Sequence, residues 1–290
     1  MRRLAPFVCL FLFCLQAAGE SKVEIRPLAK KGLKFTRTTE IAGESKIEMK
    51  VGDSGMAIPM TAGIRAETKV AEEVVDAKDG SPLGLRRRYE KKSALTSSMM
   101  GMGPDKPAES PLTGRVITFT TKNGKVERSM DGGGADDDLL ATEEIVDPMT
   151  AAVASGKPVA VGDTWQPDEK LAKAWLQSIF NGKEPQEAEV KCKLVEIAQK
   201  YGQKCARIEV TARMKVEMVF VGHPDPVLEA TFQGDVYFGL TAGVPLAMDA
   251  KGHLKGDLEQ RSPTGTEGVI PLDIPLDLTS KVKVGEADFK

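Results

Sequence analysis

Residues 206–220 read ARIEVTARMKVEMVF. Ala206, Ile208, Val210, Ala212, Met214, Val216, Met218 and Phe220 are apolar, and Arg207, Glu209, Thr211, Arg213, Lys215 and Glu217 sit between them. A two-residue period is the mark of a strand with one dry face and one wet face. At ~3.3 Å per residue the stretch spans roughly 50 Å, so it must twist or bend within its sheet. The parity persists downstream. Leu228, Ala230, Phe232, Val236, Phe238, Leu240, Val244, Leu246, Met248, Ala250, Leu254 and Leu258 all carry even numbers.

Two hairpin loops are expected to keep that parity. Lys200-Tyr201-Gly202 as a three-residue loop pairs Leu194 with Ile208 and Cys192 with Val210. Thr241-Ala242-Gly243 as another pairs Leu240 with Val244, Phe238 with Leu246 and Val236 with Met248. The result is a four-strand antiparallel meander over 188–198, 203–221, 228–240 and 244–260. Cys192 then falls on the dry face. Cys205 falls opposite Ile197 on the other face, where it forms a small apolar patch with Val195 and Ile197. Thiols on opposite faces of a sheet cannot meet the geometry of a disulfide, so no bridge is expected.

The first half shows weaker alternation. Leu33, Phe35, Thr39 and Ile41 share one parity, and Ile47, Met49 and Val51 make a second short strand. Ile64, Ala66, Val70 and Val74 continue it. After the turn Asp79-Gly80-Ser81-Pro82, Leu83, Leu85, Tyr89 and Leu95 oppose Arg86, Arg88, Glu90 and Lys92. Residues 97–111 are rich in Met, Gly and Pro and read as an irregular mobile excursion, with a Met-lined lid as the alternative. Lys122-Asn123-Gly124-Lys125 carries the Asn-Gly pair of a type I′ hairpin, which sets Ile117 opposite Met130, Phe119 opposite Arg128 and Thr121 opposite Val126.

Three helices are expected. One starts near Asp136–Asp138, and a second follows Asp147-Pro148, a cap and first-turn proline, and runs to Gly156. The third is capped by Asp168 and carries Leu171, Trp175, Leu176, Ile179 and Phe180 at helical spacing. Residues 157–167 form the hinge between halves, with Trp165 packed at the junction. The tail, with Pro271 and Pro275, reads as an edge strand or an irregular wrap. The expected fold is α+β: two pseudo-duplicated antiparallel curved sheets, half-barrel-like meanders, each covered by one or two helices. The expected division is a signal peptide at 1–19, a sheet-plus-helix half at 20–156 and a helix-plus-meander half at 157–290.

The 290 residues are 41% hydrophobic and 28% charged, which suits a globular core. Arg2 and Arg3, the apolar run Leu4–Leu15 and the small residues Ala17-Ala18-Gly19 make a secretory signal. Its apolar run is too short to span a bilayer comfortably. Cleavage takes the formal charge from −2 to −4, giving a mildly acidic exported chain, periplasmic or extracellular, with no claim on nucleic acid and no integral membrane span.

Motifs for chemistry are sparse. His223 with Asp225 is a solvated loop pair, and His253 lies on the wet face. Asp131 and Asp136–Asp138 lack the alternating ligands of a calcium loop. Arg86-Arg87-Arg88 reads as a solvated strand. Ser178 has no supporting base, and there is no phosphate loop, nucleophile elbow or paired-cysteine motif. No catalytic residue, metal ligand or cofactor is expected, and the chain is read as not an enzyme.

Ser110-Pro111-Leu112-Thr113-Gly114, Lys122-Asn123-Gly124-Lys125-Val126, Val161-Gly162-Asp163-Thr164-Trp165 and Gly202-Gln203-Lys204-Cys205-Ala206-Arg207-Ile208 together resemble a family of uncharacterised secreted β-rich bacterial proteins of planctomycete type. The resemblance implies no known activity and transfers no functional residue. The architecture is also similar to bacterial half-barrel lipoprotein carriers, at the level of fold analogy. The leading expectation is an exported non-enzymatic protein of unknown function. It would bind a lipid-like or hydrophobic small molecule between sheet and helices through Met214, Met218, Phe220, Phe232, Phe238 and Met248. For any one of these, simple core packing is the competing reading. The alternatives are a structural or interaction module of the cell envelope, with an envelope protein as partner, and a hydrolase built on converging carboxylates.

Overall fold

The computed structural model describes residues 22–51, 56–93, 96–99, 109–132, 140–141, 143–180, 185–217, 226–261 and 267–285. In chain order the strands are β1 (Val23–Glu24), β2 (Lys34–Val51), β3 (Met56–Lys78), β4 (Ser81–Lys92), β5 (Thr96–Met99), β6 (Val116–Lys122) and β7 (Lys125–Met130). Helix α1 (Pro148–Val153), β8 (Pro158–Val159), β9 (Thr164–Trp165) and helix α2 (Glu169–Phe180) follow. The chain then runs through β10 (Glu187–Lys200), β11 (Gln203–Glu217), β12 (Val227–Gly239), β13 (Val244–Arg261) and β14 (Glu267–Val284).

All but β1 and β8 join one open, antiparallel sheet ordered β7-β6-β4-β3-β2-β14-β13-β12-β11-β10-β9, with β5 added to β3. This corrects the expectation of two separate sheets. The join is β14, whose Asp277–Val284 pairs with Phe35–Ala42 of β2. The tail is therefore central, not an edge or a wrap. Its prolines fit because Pro271 and Pro275 lie in the part of β14 that pairs with β13 alone. Proline is tolerated where a strand has one free side. At Gly43 the two neighbours part company: a Cβ there would stand 2.3 Å from the Pro275 carbonyl oxygen. Glycine permits that close backbone approach.

Even-numbered residues of the second half occupy the inner face. Ile208, Val236, Phe238, Met248, Leu254, Ile274 and Leu278 are all buried in one cluster, whereas Leu246, left unpaired by an irregularity in β13, is buried outside it beside Gly239. The pairings Leu194–Ile208, Cys192–Val210 and Val236–Met248 are as expected. Near the turns the register differs. Tyr201-Gly202 is a two-residue loop with both φ angles positive, so Lys200 pairs with Gln203. A bulge at Val195 restores the expected register beyond it. Likewise Phe238 pairs with Pro245, not Leu246, because of an irregularity beside Tyr237.

The β10 bulge turns Ile197 inward, opposite Ala206, so the outer patch expected with Val195 and Cys205 does not form. Cys205 faces the other side, opposite Ala198, and is buried; its thiol donates to the Lys200 carbonyl at 3.1 Å. Cys192 and Cys205 are both free.

In the first half the Asn123-Gly124 hairpin has the expected register throughout. The two short strands expected at 33–41 and 47–51 are one, β2. The start of the expected excursion, Ser97 to Met99, belongs to strand β5 on β3. Residues 100–108, the expected helix start at Asp136–Asp138 and the signal at 1–19 lie outside the described residues.

The inner face is covered by α2 and α1, which pack on each other. Asp168 caps α2 by accepting from the Leu171 amide at 2.9 Å. Trp175, Leu176 and Ile179 seat that helix on Val210, Ala212, Phe232 and Val236. Burying each such side chain is worth about 1.5–3 kcal/mol. The ribbon β1–β8 ties the N-terminal segment beside them, with Ile25 buried and its amide on Ser155 Oγ.

Candidate functional site

The inner face changes character at β2–β4. The positions that elsewhere hold Ile41, Val70 and Leu85 are taken by Arg37 on β2, Glu72 on β3, and Arg87 and Tyr89 on β4. These side chains are buried and paired in a line of alternating charge. Asp147 accepts from Arg37 through Oδ1. Arg37 also donates to Glu72 Oε2 at 3.0 Å, and Arg87 donates to Glu72 Oε1. Arg87 continues to Glu143 Oε2 at 3.2 Å and the Glu144 carbonyl at 2.9 Å. Tyr89 donates to Glu143 Oε2, and Lys92 to Glu143 Oε1 at 2.7 Å.

Asp147 belongs to two structures at once. Its Oδ2 accepts from the amide and hydroxyl of Thr150, both at 2.8 Å, which caps α1. The capping residue that sequence expects is thus also the end of the ion line. Burial alone would strip charge from these groups, and the neighbours decide which way each moves. Burial lowers Arg37, and Glu72 only partly compensates. For Arg87, burial is outweighed by Glu72, Tyr89 and Glu143, which fix its charge firmly. Burial pushes the Tyr89 hydroxyl up. Burial also pushes Glu143 up, but Lys92 and Arg87 outweigh it and hold the carboxyl below its ordinary range.

A cavity of about 480 Å³ lies between this line and the helices. Its polar wall includes Arg37, Glu72, Arg87, Tyr89, Lys92, Glu143 and Asp147, with the half-exposed Glu144, paired to Arg128, at its edge. Its apolar wall is Ile41, Val70, Met149, Trp175, Ile179, Met248 and Leu278. The volume falls within the ~300–1,000 Å³ range of small-molecule sites.

The sequence-derived candidates scatter. Met248 lines the cavity. Phe232 and Met248 also border a void of about 10 Å³ beneath α2, too small for a ligand. Met214 and Phe238 are core residues. Met218 and Phe220 lie outside the described residues. So α2 fills the inner face of the second half, and the open volume lies beside it, over the first half.

The arginine triplet corrects the solvated-strand reading. Arg87 shares the inward parity of Leu85 and Tyr89 and is buried. That parity is visible in sequence. Lys92 has the wrong parity until a register shift between Lys69 and Val70 turns it inward, opposite Thr68. Glu143 is reached by tertiary folding alone. Ser178 spends its hydroxyl on the Trp175 carbonyl at 2.6 Å.

The outer face carries a broader trough of about 800 Å³, lined by Glu189, Lys191, Arg213, Lys251, His253 and Asp277 among others. Its charges meet in exposed pairs such as Lys191–Glu189 at 2.8 Å and His253–Asp273 at 2.6 Å. That is a solvated sheet face, and exposed pairs of this kind contribute little. The smaller inner cavity is the better site because its polar groups are desolvated and converge. Among the described residues no group of three or more His, Cys, Asp or Glu is placed to hold a metal, and no helix is long and apolar enough to cross a membrane.

No family model and no curated protein matches the chain. A solved structure described as "lipid-protein interactions in lipovitellin" is similar at a TM-score of 0.37 and 10% identity, over 91% of this chain and 26% of that one. The chain therefore spans about a quarter of that protein's length, and at this score the likeness carries no weight on function.

Proposed function

We propose that the chain is an exported, non-enzymatic protein that holds a lipid-like, amphiphilic molecule in the cavity between β2–β4 and the two helices. The observation that carries this reading is the cavity's division into a polar and an apolar wall. A purely structural core has no use for 480 Å³ of open space, and a charged wall facing Trp175, Ile179, Met248 and Leu278 suits a molecule with a polar head and an apolar chain. A non-enzymatic role fits the engagement of the carboxylates. Glu72 is held between two arginines, and Glu143 between Arg87, Tyr89 and Lys92, so neither is poised as a base. Export rests on the pattern of residues 2–19.

Native mass spectrometry of the protein recovered from its producing cell, with organic extraction of the sample, tests the reading. One small amphiphile released per chain is the expected result. A bare chain that also fails to retain added single-chain detergent below its micelle-forming concentration overturns it.

A further inference from the structure

The apolar lining of the cavity is closed off from solvent. Trp175, Ile179, Met248 and Leu278 are each at most 7% exposed, so a chain laid along them must pass a wall that moves. Most of the walls are packed as core. Ala152 and Val153 of α1 and Leu176 of α2 are wholly buried, and the sheet is joined by its strand ladder. Residues 143–146, which carry Glu143 and Glu144 into the lining, are built differently.

These four residues belong to no helix or strand, and among the described residues no backbone hydrogen bond joins them to the sheet. Side chains reaching from the strands hold them instead. Arg128 of β7 donates through Nε to the Glu143 carbonyl at 2.5 Å, and Arg87 of β4 donates to the Glu144 carbonyl at 2.9 Å. The Glu143 carboxylate is tied to Arg87, Tyr89 and Lys92, and the Glu144 carboxylate to Arg128 at 3.7 Å. Their apolar share is small: Ile145 packs, half-buried, on the cluster of Val70, Leu85 and Phe119. Both ends of the segment are anchored. Leu140 is buried in that same cluster, and Asp147 is pinned by Arg37 and by its cap on α1.

Parting a buried ion pair into water rehydrates both partners, which offsets much of the attraction lost. Exposing apolar surface brings no such return. A segment with few buried apolar contacts therefore opens locally, at a lower free energy than the whole fold. We propose that residues 143–146 are the gate of the cavity: they swing out about Asp147 while α1 and α2 stay seated, and a single-chain amphiphile enters past Arg87 and Lys92. What passes rests on the proposed function; the motion itself needs no ligand. Arg128 is a positioning residue for the gate, since it holds residues 143 and 144 from outside the cavity lining.

Thiol labelling tests the motion without a ligand. Ala66 lines the cavity and is buried, and Ala66→Cys places a thiol there; Cys192, buried outside the cavity lining, reports opening of the core in the same chain. Under iodoacetamide the thiol at position 66 should be alkylated at least about tenfold faster than Cys192. Adding Arg128→Gln should speed labelling at position 66 about tenfold, the worth of one charge-assisted hydrogen bond, and leave Cys192 unchanged. Two thiols reacting in step, or a rate at position 66 indifferent to Arg128→Gln, overturns the gate. If the variant does not fold, as judged by circular dichroism, the comparison of the two thiols decides alone.

Stopped-flow binding of 1-monododecanoylglycerol, below its micelle-forming concentration and read by Trp175 fluorescence, tests the passage. A gate changes the barrier and not the end states, so Arg128→Gln should raise the association and dissociation rates together, about tenfold, with Kd within about twofold. A rise in dissociation alone makes Arg128 a stabiliser of the bound state and overturns the gate. No binding to either chain overturns the proposed function, and thiol labelling then decides the gate by itself.

Discussion

Asp147 divides its carboxylate between the first turn of α1, through Oδ2, and Arg37 of β2, through Oδ1. The same residue that starts a cover helix therefore fixes that helix to the sheet at the polar wall of the cavity. Asp147→Ala removes the ion pair and both cap bonds from Thr150, and should destabilise the chain by about 2–4 kcal/mol in chemical denaturation. Asp147→Ser restores a capping oxygen but not the ion pair, and should recover about 1 kcal/mol of that loss. Equal stability for the two variants would show that the cap contributes nothing.

Glu143 gives the fold a defined acid response. Its carboxyl is held below its ordinary value of 4.5 in the folded chain because Lys92 and Arg87 outweigh burial. A depressed carboxyl stabilises fully above its unfolded-state value, and that stabilisation is lost as pH falls through the lower folded-state value. The denaturation midpoint of the wild-type chain should thus fall on acidification below about 4.5. Glu143→Gln leaves Lys92 without its charge partner and Arg87 with Glu72 alone, and should cost about 3 kcal/mol at pH 7. The variant should then lose less on further acidification. A variant with the wild type's acid slope would remove Glu143 from this role.

Gly252 sits opposite Phe232 on the inner face of β13. A Cβ there would stand 1.9 Å from the Thr231 carbonyl oxygen and 2.8 Å from the Phe232 ring. Gly252→Ala forces backbone to move, since no flexible side chain can yield. A loss of at least about 1–3 kcal/mol is expected. A thermal midpoint within a degree of wild type would mean that β12 and β13 lie farther apart.

Cys192 is buried on the inner face opposite Val210, and burial pushes its thiol up to about 12. Cys205 lies on the other face. The exported chain should show two thiols on denaturation without reductant, and Cys192 should resist iodoacetamide at neutral pH until then. Recovery of a bridged mass would contradict the strand register itself.

The strand parity from Ala206 to Leu254 was legible because one face of that sheet is apolar without interruption. Even the mistaken three-residue loop at Lys200–Gly202 did little harm, since the bulge at Val195 absorbs the one-residue difference. The site was far less legible. Arg37, Glu72 and Arg87 occupy inward positions with charged side chains, so a rule that sorts charge to the wet face places them wrongly. The inward parity of Arg87 with Leu85 and Tyr89 was the one local clue. Lys92 depends on a bulge, and Glu143 on a contact 51 residues away in the chain. The single sheet is hidden in the sequence for a similar reason: Pro271 and Pro275 read as edge signals, and only the pairing of β14 with β2 shows that they sit beside a free stretch of an otherwise central strand.

The claim on which the rest depends is that a ligand enters the cavity over β2–β4. Ala66 lines it beside Ile41 and is buried, so Ala66→Phe would fill it from the sheet side. The decisive measurement is a titration of 1-monododecanoylglycerol against the wild-type chain and this variant, read by Trp175 fluorescence. Saturable one-to-one binding to the wild type, and at least about tenfold weaker binding to a folded Ala66→Phe chain, is the expected result. Equal affinity in both, or no saturable binding to the wild type, contradicts it.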